Sequence, residues 1–195
     1  MLHRFADIHT HKPGKQDSIL SIPISGVEGI VRSNAALSPE ERQFYSLQLH
    51  PWHLTGQDDI ADFETTARRL ASDPQLVAIG ECGLDSLCTT PLELQHQAFI
   101  AALHLARTLR KPVIVHCVRL WAEMIRDVHS VFPELKTQSD ACLQWLVIVH
   151  GYRRGAQLAK QLLDAGFALS LGEKYKPEVA NLIPPQRLYR ETDEE

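Results

Sequence analysis

Four of the ten histidines stand where an apolar run ends. His9 and His11 close "ADIHTH", His116 closes "PVIVH" and His150 closes "WLVIVH". Glu81 closes "LVAIGE", and Asp193 lies at the end of the final run, "RLYRETDEE". Residues two apart in a strand point to the same face, so the imidazoles of His9 and His11 can meet one ion. A single strand-end histidine is more often a hydrogen-bonded structural residue than a ligand. Six nitrogen and oxygen donors at five such ends are a different matter. With one carboxylate to share, they suit two divalent ions. Imidazole with carboxylate favours Zn, Mn or Fe, and Mg is tolerated where carboxylates dominate. The chemistry is hydrolytic: a metal-activated water attacks phosphorus or a carbonyl carbon, and Asp193 accepts its proton as general base.

Donors spread along the whole chain meet only if the elements carrying them run the same way. Short apolar runs predict eight strands: Arg4–Ile8, Ser18–Ile24, Tyr45–Leu49, Leu76–Glu81, Pro112–His116, Leu146–His150, Ala168–Leu171 and Arg187–Glu191. Several are apolar on both parities, as strands covered on both faces are. Between them lie amphipathic stretches with stripes Ile60/Phe63/Ala67/Leu70, Phe99/Ala102/Leu103/Ala106 and Trp121/Met124/Ile125/Val128/Phe132. "RRGAQLAKQLLDAG" is a further helix, with Gly166 placed to end it. Strand and helix in alternation imply right-handed parallel crossovers. The fold class is therefore α/β, a TIM-type (β/α)8 barrel whose strand C-termini open on one working face. At 195 residues it is trimmed. No helix fits in "KPGKQ" after strand one, and none follows Asp193, so both missing helices flank the seam between strands one and eight.

Composition sets the outer bounds. With 44% hydrophobic and 23% charged residues, the chain is expected to be one globular domain spanning 1–195. A net charge of −4 argues against a general duplex-coating protein. The N-terminus has no apolar run that would make a signal peptide, and no stretch approaches a membrane span. The cysteines, Cys82, Cys88, Cys117 and Cys142, form no CxxC pair or disulfide framework, so a cytoplasmic setting is expected.

The set "DIHTH", "LHPWH", "IGECGLD", "PVIVHC", "HGYRRG" and "RETD", in that order from Asp7 to Asp193, resembles the TatD-like metal-dependent hydrolases of the amidohydrolase superfamily. The resemblance implies a (β/α)8 barrel with one or two divalent ions (Zn, Mn, Mg or Fe). It implies hydrolysis of phosphodiesters, with DNA as a substrate. By motif position His9, His11, Glu81, His116, His150 and Asp193 carry over as ligands, with Glu81 bridging. His50 corresponds to a histidine that touches the substrate phosphate, and Asp85 to a residue supporting the ligands. This chain departs from the family where "HPWH" puts Trp52 in place of a second histidine, leaving His53 as a substitute. Val118 stands where an arginine is usual, and Arg119 follows it.

Other residues have plainer readings. Cys82 and Cys117 follow ligands and turn to the opposite face as packing residues. His96, His104 and His129 fall on helices, Trp121 lies on a core stripe, and His3 has no expected partner. Trp52 sits on the active face, where it can stack on a nucleobase or pack its own loop. Arg153, Arg154, Lys174 and Lys176 lie on loops that can reach phosphates or simply be solvated. A hydrolase acting on amides or lactones, and a non-catalytic barrel, are the rival readings. No carbamylated lysine is available at strand four, and a scaffold has no use for six ligands. Loss of cover at the seam predicts apolar strand backs there, covered by a homodimer partner or by another element folding over the seam.

Overall fold

The computed structural model describes residues 2–14, 17–137 and 146–193; Cys142 and the terminal Glu194 and Glu195 lie outside them. Eight parallel strands follow in chain order: β1 Asp7–Thr10, β2 Ser18–Pro23, β3 Phe44–Leu49, β4 Leu76–Asp85, β5 Val113–Val118, β6 Val147–Val149, β7 Ala168–Leu171 and β8 Leu188–Arg190. The helices are α1 Ile24–Ala35, α2 Gln57–Arg69, α3 Leu92–Leu109, α4 Trp121–Val131, α5 Ala156–Asp164 and the single turn α6 Pro177–Ala180. Parallel ladders join each strand to the next, from β1 to β8. Among the described residues no helix separates β1 from β2, and none is long and apolar enough to cross a membrane.

Two apolar layers hold this arrangement. Strand residues such as Leu47, Leu84, Val113, Val115, Val149 and Leu169 face outward and pack on the helices with Phe63, Phe99 and Met124. Inside, Leu2, Phe5, Ile8, Ile19, Ile114, Ile148 and Tyr189 fill the N-terminal end of the barrel. The opposite end is left to polar residues. This two-sided burial is why β5 and β6 are apolar on both parities.

The structure corrects the expected elements in two places. β1 starts at Asp7, because Leu2–Arg4 form a 3-10 turn that drives Leu2 and Phe5 into the barrel floor. A barrel missing only the helices after strands one and eight calls for a helix between β2 and β3, but the stripes read from the sequence do not include α1. Gly26, Gly29 and its β-branched residues give it weak intrinsic propensity. Packing of Val27, Ile24, Ile30 and Val31 on the core supplies what propensity does not.

The seam also differs from expectation. No ladder joins β1 to β8; instead the Asp193 N–H donates to His9 O at 3.2 Å. Thr192 donates to the Asp7 carboxylate through its N–H at 3.2 Å and its hydroxyl at 2.6 Å. At the other end the rings of His3 and Tyr189 stack at 4.5 Å, and the Tyr189 hydroxyl is 3.1 Å from His3 Nε2. His3 therefore has a structural partner. Of the apolar strand backs expected here, Leu188 of β8 is partly covered by the outer layer. None of the exposed large hydrophobics lies on β1 or β8, and Arg190 lies over the Tyr175 ring.

β4 runs so close to β5 that side chains are excluded. At Gly83, φ is +148°, and a Cβ would stand 1.9 Å from the His116 carbonyl oxygen. Gly83→Ala is accordingly expected to destabilise the fold by about 3 kcal/mol or more, in the severe tail of point substitutions. Urea unfolding measures it, and an unchanged midpoint would mean the two strands are not in this contact.

Candidate metal centre and adjoining cavities

The polar end of the barrel is organised around Glu81. Its entry depends on a register shift. Between Ile79 and Cys82 β4 advances three residues, while β5 advances two, from Val113 to Val115. The extra residue resets the alternation. Ala78 faces the interior, Glu81 then faces it as well, and Cys82 and Leu84 return to the outer layer. β1 does the same between Asp7 and Thr10 against Ser18 and Leu20 of β2, so that Ile8 and His9 both reach inside. Bulges of this kind re-aim side chains beside functional sites.

The two Glu81 oxygens face different groups. Oε2 stands 3.3 Å from His9 Nε2, 3.9 Å from His11 Nε2 and 3.5 Å from Gln48 Nε2. Oε1 stands 2.7 Å from His150 Nε2, 2.8 Å from His116 Nδ1 and 3.1 Å from His50 Nε2. Asp193 closes the far side, with Oδ1 3.7 Å from His9 Nε2 and Oδ2 3.9 Å from His150 Nδ1. His9, His11 and Asp193 form one set of donor atoms mutually within 4.8 Å, and His50, Glu81 and His116 form another. All the residues expected to be ligands thus converge, carried by the ends of β1, β4, β5 and β6 and the segment after β8.

The electrostatics of the cluster are those of a cation site. Burial works against the Glu81 charge, yet the charge of His150 and hydrogen bonds from His116, His150 and His50 outweigh it and hold the carboxyl well below its usual range. Burial alone would lower His150, but Glu81, then Glu191 and Asp193, push it up to about 10. His11 is lowered by burial and by His9, and His50 mainly by burial. Both ring nitrogens of His9, and Nδ1 of His150, are buried without a hydrogen-bond partner. Buried polar atoms left so are costly. The imidazole and carboxylate donors around them are the kind that hold Zn, Mn or Fe, so this set fits a divalent ion.

Supporting residues fix the cluster from outside. Asp85 Oδ2 accepts the Trp52 indole N–H at 2.7 Å and stands 3.1 Å from His116 Nε2. The Asp85 backbone N–H donates to Gln95 Oε1 at 2.8 Å, and Gln95 Nε2 returns to the Asp85 carbonyl at 3.1 Å. His50 Nδ1 accepts the Trp52 N–H at 3.2 Å, which leaves its Nε2 to donate toward Glu81. Glu191, raised by burial, lies 4.0 Å from His150 Nδ1 and accepts the Gly151 N–H. Sequence reading gave no role to Gln48, Gln95 or Glu191. The signal for one of them was there: Gln48 precedes His50 by two residues, which puts both on one face of an extended segment, whereas Glu191 and Asp193 lie past β8, where strand alternation does not hold.

Three cavities meet at Asp193. The central one, about 230 Å³, holds His11, His50, His53, Glu81 and Asp193. On one side a cavity of about 330 Å³ carries Trp52, Leu87, Trp121, Arg153 and Arg154. On the other, about 360 Å³, are Lys12, Arg153 and Lys174. Arg153 Nη2 stands 3.5 Å from Asp193 Oδ2. His53 is exposed, its ring 5.6 Å from that of His50. Arg119 is exposed in a left-handed conformation just past β5 and lines none of these three cavities. Cys82 and Cys117 are buried in the outer layer, while His96 contacts Asp127 and His129 Nε2 lies 2.8 Å from the Ala165 carbonyl, all as packing residues.

Comparison with known proteins places this architecture. The chain resembles the solved structure of YJJV, a TatD homologue from Escherichia coli K12, with a TM-score of 0.76 at 21% identity over 99% of this chain and 80% of that one. A hydrolase TatD family protein from Entamoeba histolytica has a TM-score of 0.74 at 17% identity, over 97% of this chain and 73% of that one. At these identities the likeness concerns the fold. In sequence, the 3'-5' ssDNA/RNA exonuclease TatD of Erwinia billingiae is 30% identical over 200 residues, 93% of this chain and 70% of the relative. The metal-dependent hydrolase YcfH of Escherichia coli K12 is 26% identical over 201 residues, 98% of this chain and 71% of the relative. The family model for TatD related DNase matches residues 17–194, and the chain belongs to that family.

Proposed function

We propose that the protein is a divalent-metal-dependent phosphodiesterase acting on nucleic acid. The observation that carries this reading is the Glu81 carboxylate, one oxygen toward His9 and His11 and the other toward His116 and His150. A single carboxylate so placed can be shared by two ions, one with His9, His11 and Asp193, the other with His116 and His150. Relatives named as a metal-dependent hydrolase and as an ssDNA/RNA exonuclease support the reaction class.

When bound, such ions supply Lewis acidity toward a phosphoryl oxygen and lower the pKa of water. The chain's own residues do the rest. Asp193 borders all three cavities, so its carboxylate meets water at the point where substrate arrives. It accepts a proton from that water as the oxygen attacks phosphorus; the ester P–O bond breaks, and the leaving alkoxide takes up a proton and departs as the alcohol. His50 borders the same cavity; its Nδ1 is held by the Trp52 N–H, and its Nε2–H, which faces Glu81 here, is the group that reaches a phosphate oxygen once it is released from that carboxylate. Arg153 and Arg154 on one side and Lys174 on the other receive neighbouring phosphates. Asp85 keeps the His116 ring turned toward Glu81.

Two outcomes follow. Zn or Mn is expected to raise the melting temperature, since an ion at about 100 times its Kd adds about 2.7 kcal/mol to the native state. In Glu81→Gln the rise should disappear, and an equal rise in both proteins would place metal binding elsewhere. Asp193→Asn, folded by circular dichroism, is expected to cleave a single-stranded oligonucleotide at least ~100-fold more slowly than the parent. Full activity in that variant would remove Asp193 as the base.

A further inference from the structure

Trp52 combines exposure with fixation. Its residue surface is 56% exposed, yet the indole N–H is held by Asp85 and its backbone N–H by His50. The turn that carries it is tied down by the Thr90 hydroxyl, which donates to the Pro51 carbonyl at 2.7 Å. Loop packing does not explain an aromatic face that is immobilised from its edge and left open. Next to it stands Leu87, 62% exposed, whose N–H is held at 2.7 Å by the same Asp85 carboxylate. These two side chains, with Val118 and Trp121, give the cavity of about 330 Å³ an apolar lining. Arg153 and Arg154 border it, and it shares Trp52, His116, His150 and Asp193 with the central cavity.

We infer that this cavity is a nucleobase pocket: it takes one unpaired base of the substrate and stacks it on Trp52, with Leu87 beside it. The inference rests on the phosphodiesterase reading above. A flat aromatic group is what a rigid indole face next to apolar side chains accepts. The charges fit the same occupant, because the two guanidinium groups at the border suit the phosphate of an adjoining nucleotide. A base within a duplex has its faces covered by its neighbours, so the pocket accepts a base only from a single strand or a frayed end. Trp52 is then a specificity residue that places the scissile phosphate by holding the base beside it.

The test compares a short single-stranded oligonucleotide with a counterpart of the same length that lacks every base. Cleavage is followed by kcat/KM, and binding by fluorescence anisotropy on Asp193→Asn protein. The parent should favour the base-bearing strand roughly tenfold or more, the worth of one base–aromatic stack. The preference should lie mainly in KM and appear in binding as well. In Trp52→Ala the ratio should fall toward one, Trp52→Phe, which keeps an aromatic face but loses the bond to Asp85, should keep part of it, and Leu87→Ser should lower it without touching the Asp85–indole bond. Equal treatment of both strands by the parent would overturn the pocket, as would a ratio unchanged in both Trp52→Ala and Leu87→Ser. A base preference in binding without cleavage under any divalent ion would sink the phosphodiesterase reading and leave the pocket. Neither cleavage nor preference would remove both.

Discussion

One buried carboxylate sets the terms for the rest of the molecule. Against the effect of burial, the charge of His150 and hydrogen bonds from His116, His150 and His50 hold the Glu81 carboxyl well below its usual range inside the barrel. To face those rings from the wall of a parallel barrel it needs an extra residue in β4, and that extra residue needs room. Gly80 and Gly83 provide the room on the β5 side, where a Cβ at either would strike the carbonyl oxygen of Ile114 or His116. Strand geometry, glycine placement and site electrostatics are one constraint expressed three times. The same device recurs at β1, where a register shift brings His9 inside beside Ile8. Two of the barrel's departures from regular pairing lie where charge enters its interior; a further one, between Tyr45 and Ser46 of β3 against Leu76 and Ala78 of β4, lies in its apolar half.

The seam shows how closure and chemistry are joined. β1 and β8 are not laddered; their upper ends are tied by Asp7, Thr192 and the bond from Asp193 to His9. Those contacts fix the backbone of the two residues that would hold the same ion. Polar contacts at the C-terminal end, and the His3–Tyr189 stack at the N-terminal end, take the place of a covering helix. On the seam's outward face Leu188 packs on the outer layer and Arg190 lies over the Tyr175 ring.

Most of this architecture was legible in the sequence, for identifiable reasons. Runs such as "PVIVH" are apolar on both parities because helices cover one side and the barrel floor the other, and a histidine ends the run where the interior turns polar. Six donors at strand ends could therefore be assigned to one face before any coordinates. Helix α1 escaped because its stability comes from packing of Val27 and its neighbours, which local propensity does not register. The first strand was placed too early because Phe5 reads as strand-like but serves as a plug. The register shifts have no sequence signal beyond the glycines of "IGECG". Gln48 could have been found by the period-two rule. Glu191 could not, since it lies past β8, and neither could Gln95, since its role depends on how α3 sits over the end of β4.

The central claim is that Glu81 is shared between two cation positions. Anomalous diffraction from crystals grown with Mn or Zn tests it most directly. Sharing of Glu81 predicts density on both sides of its carboxylate, one peak among His9, His11 and Asp193 and one beside His116 and His150. Metal found only elsewhere on the surface, with Glu81 still hydrogen-bonded to its histidines, would contradict it.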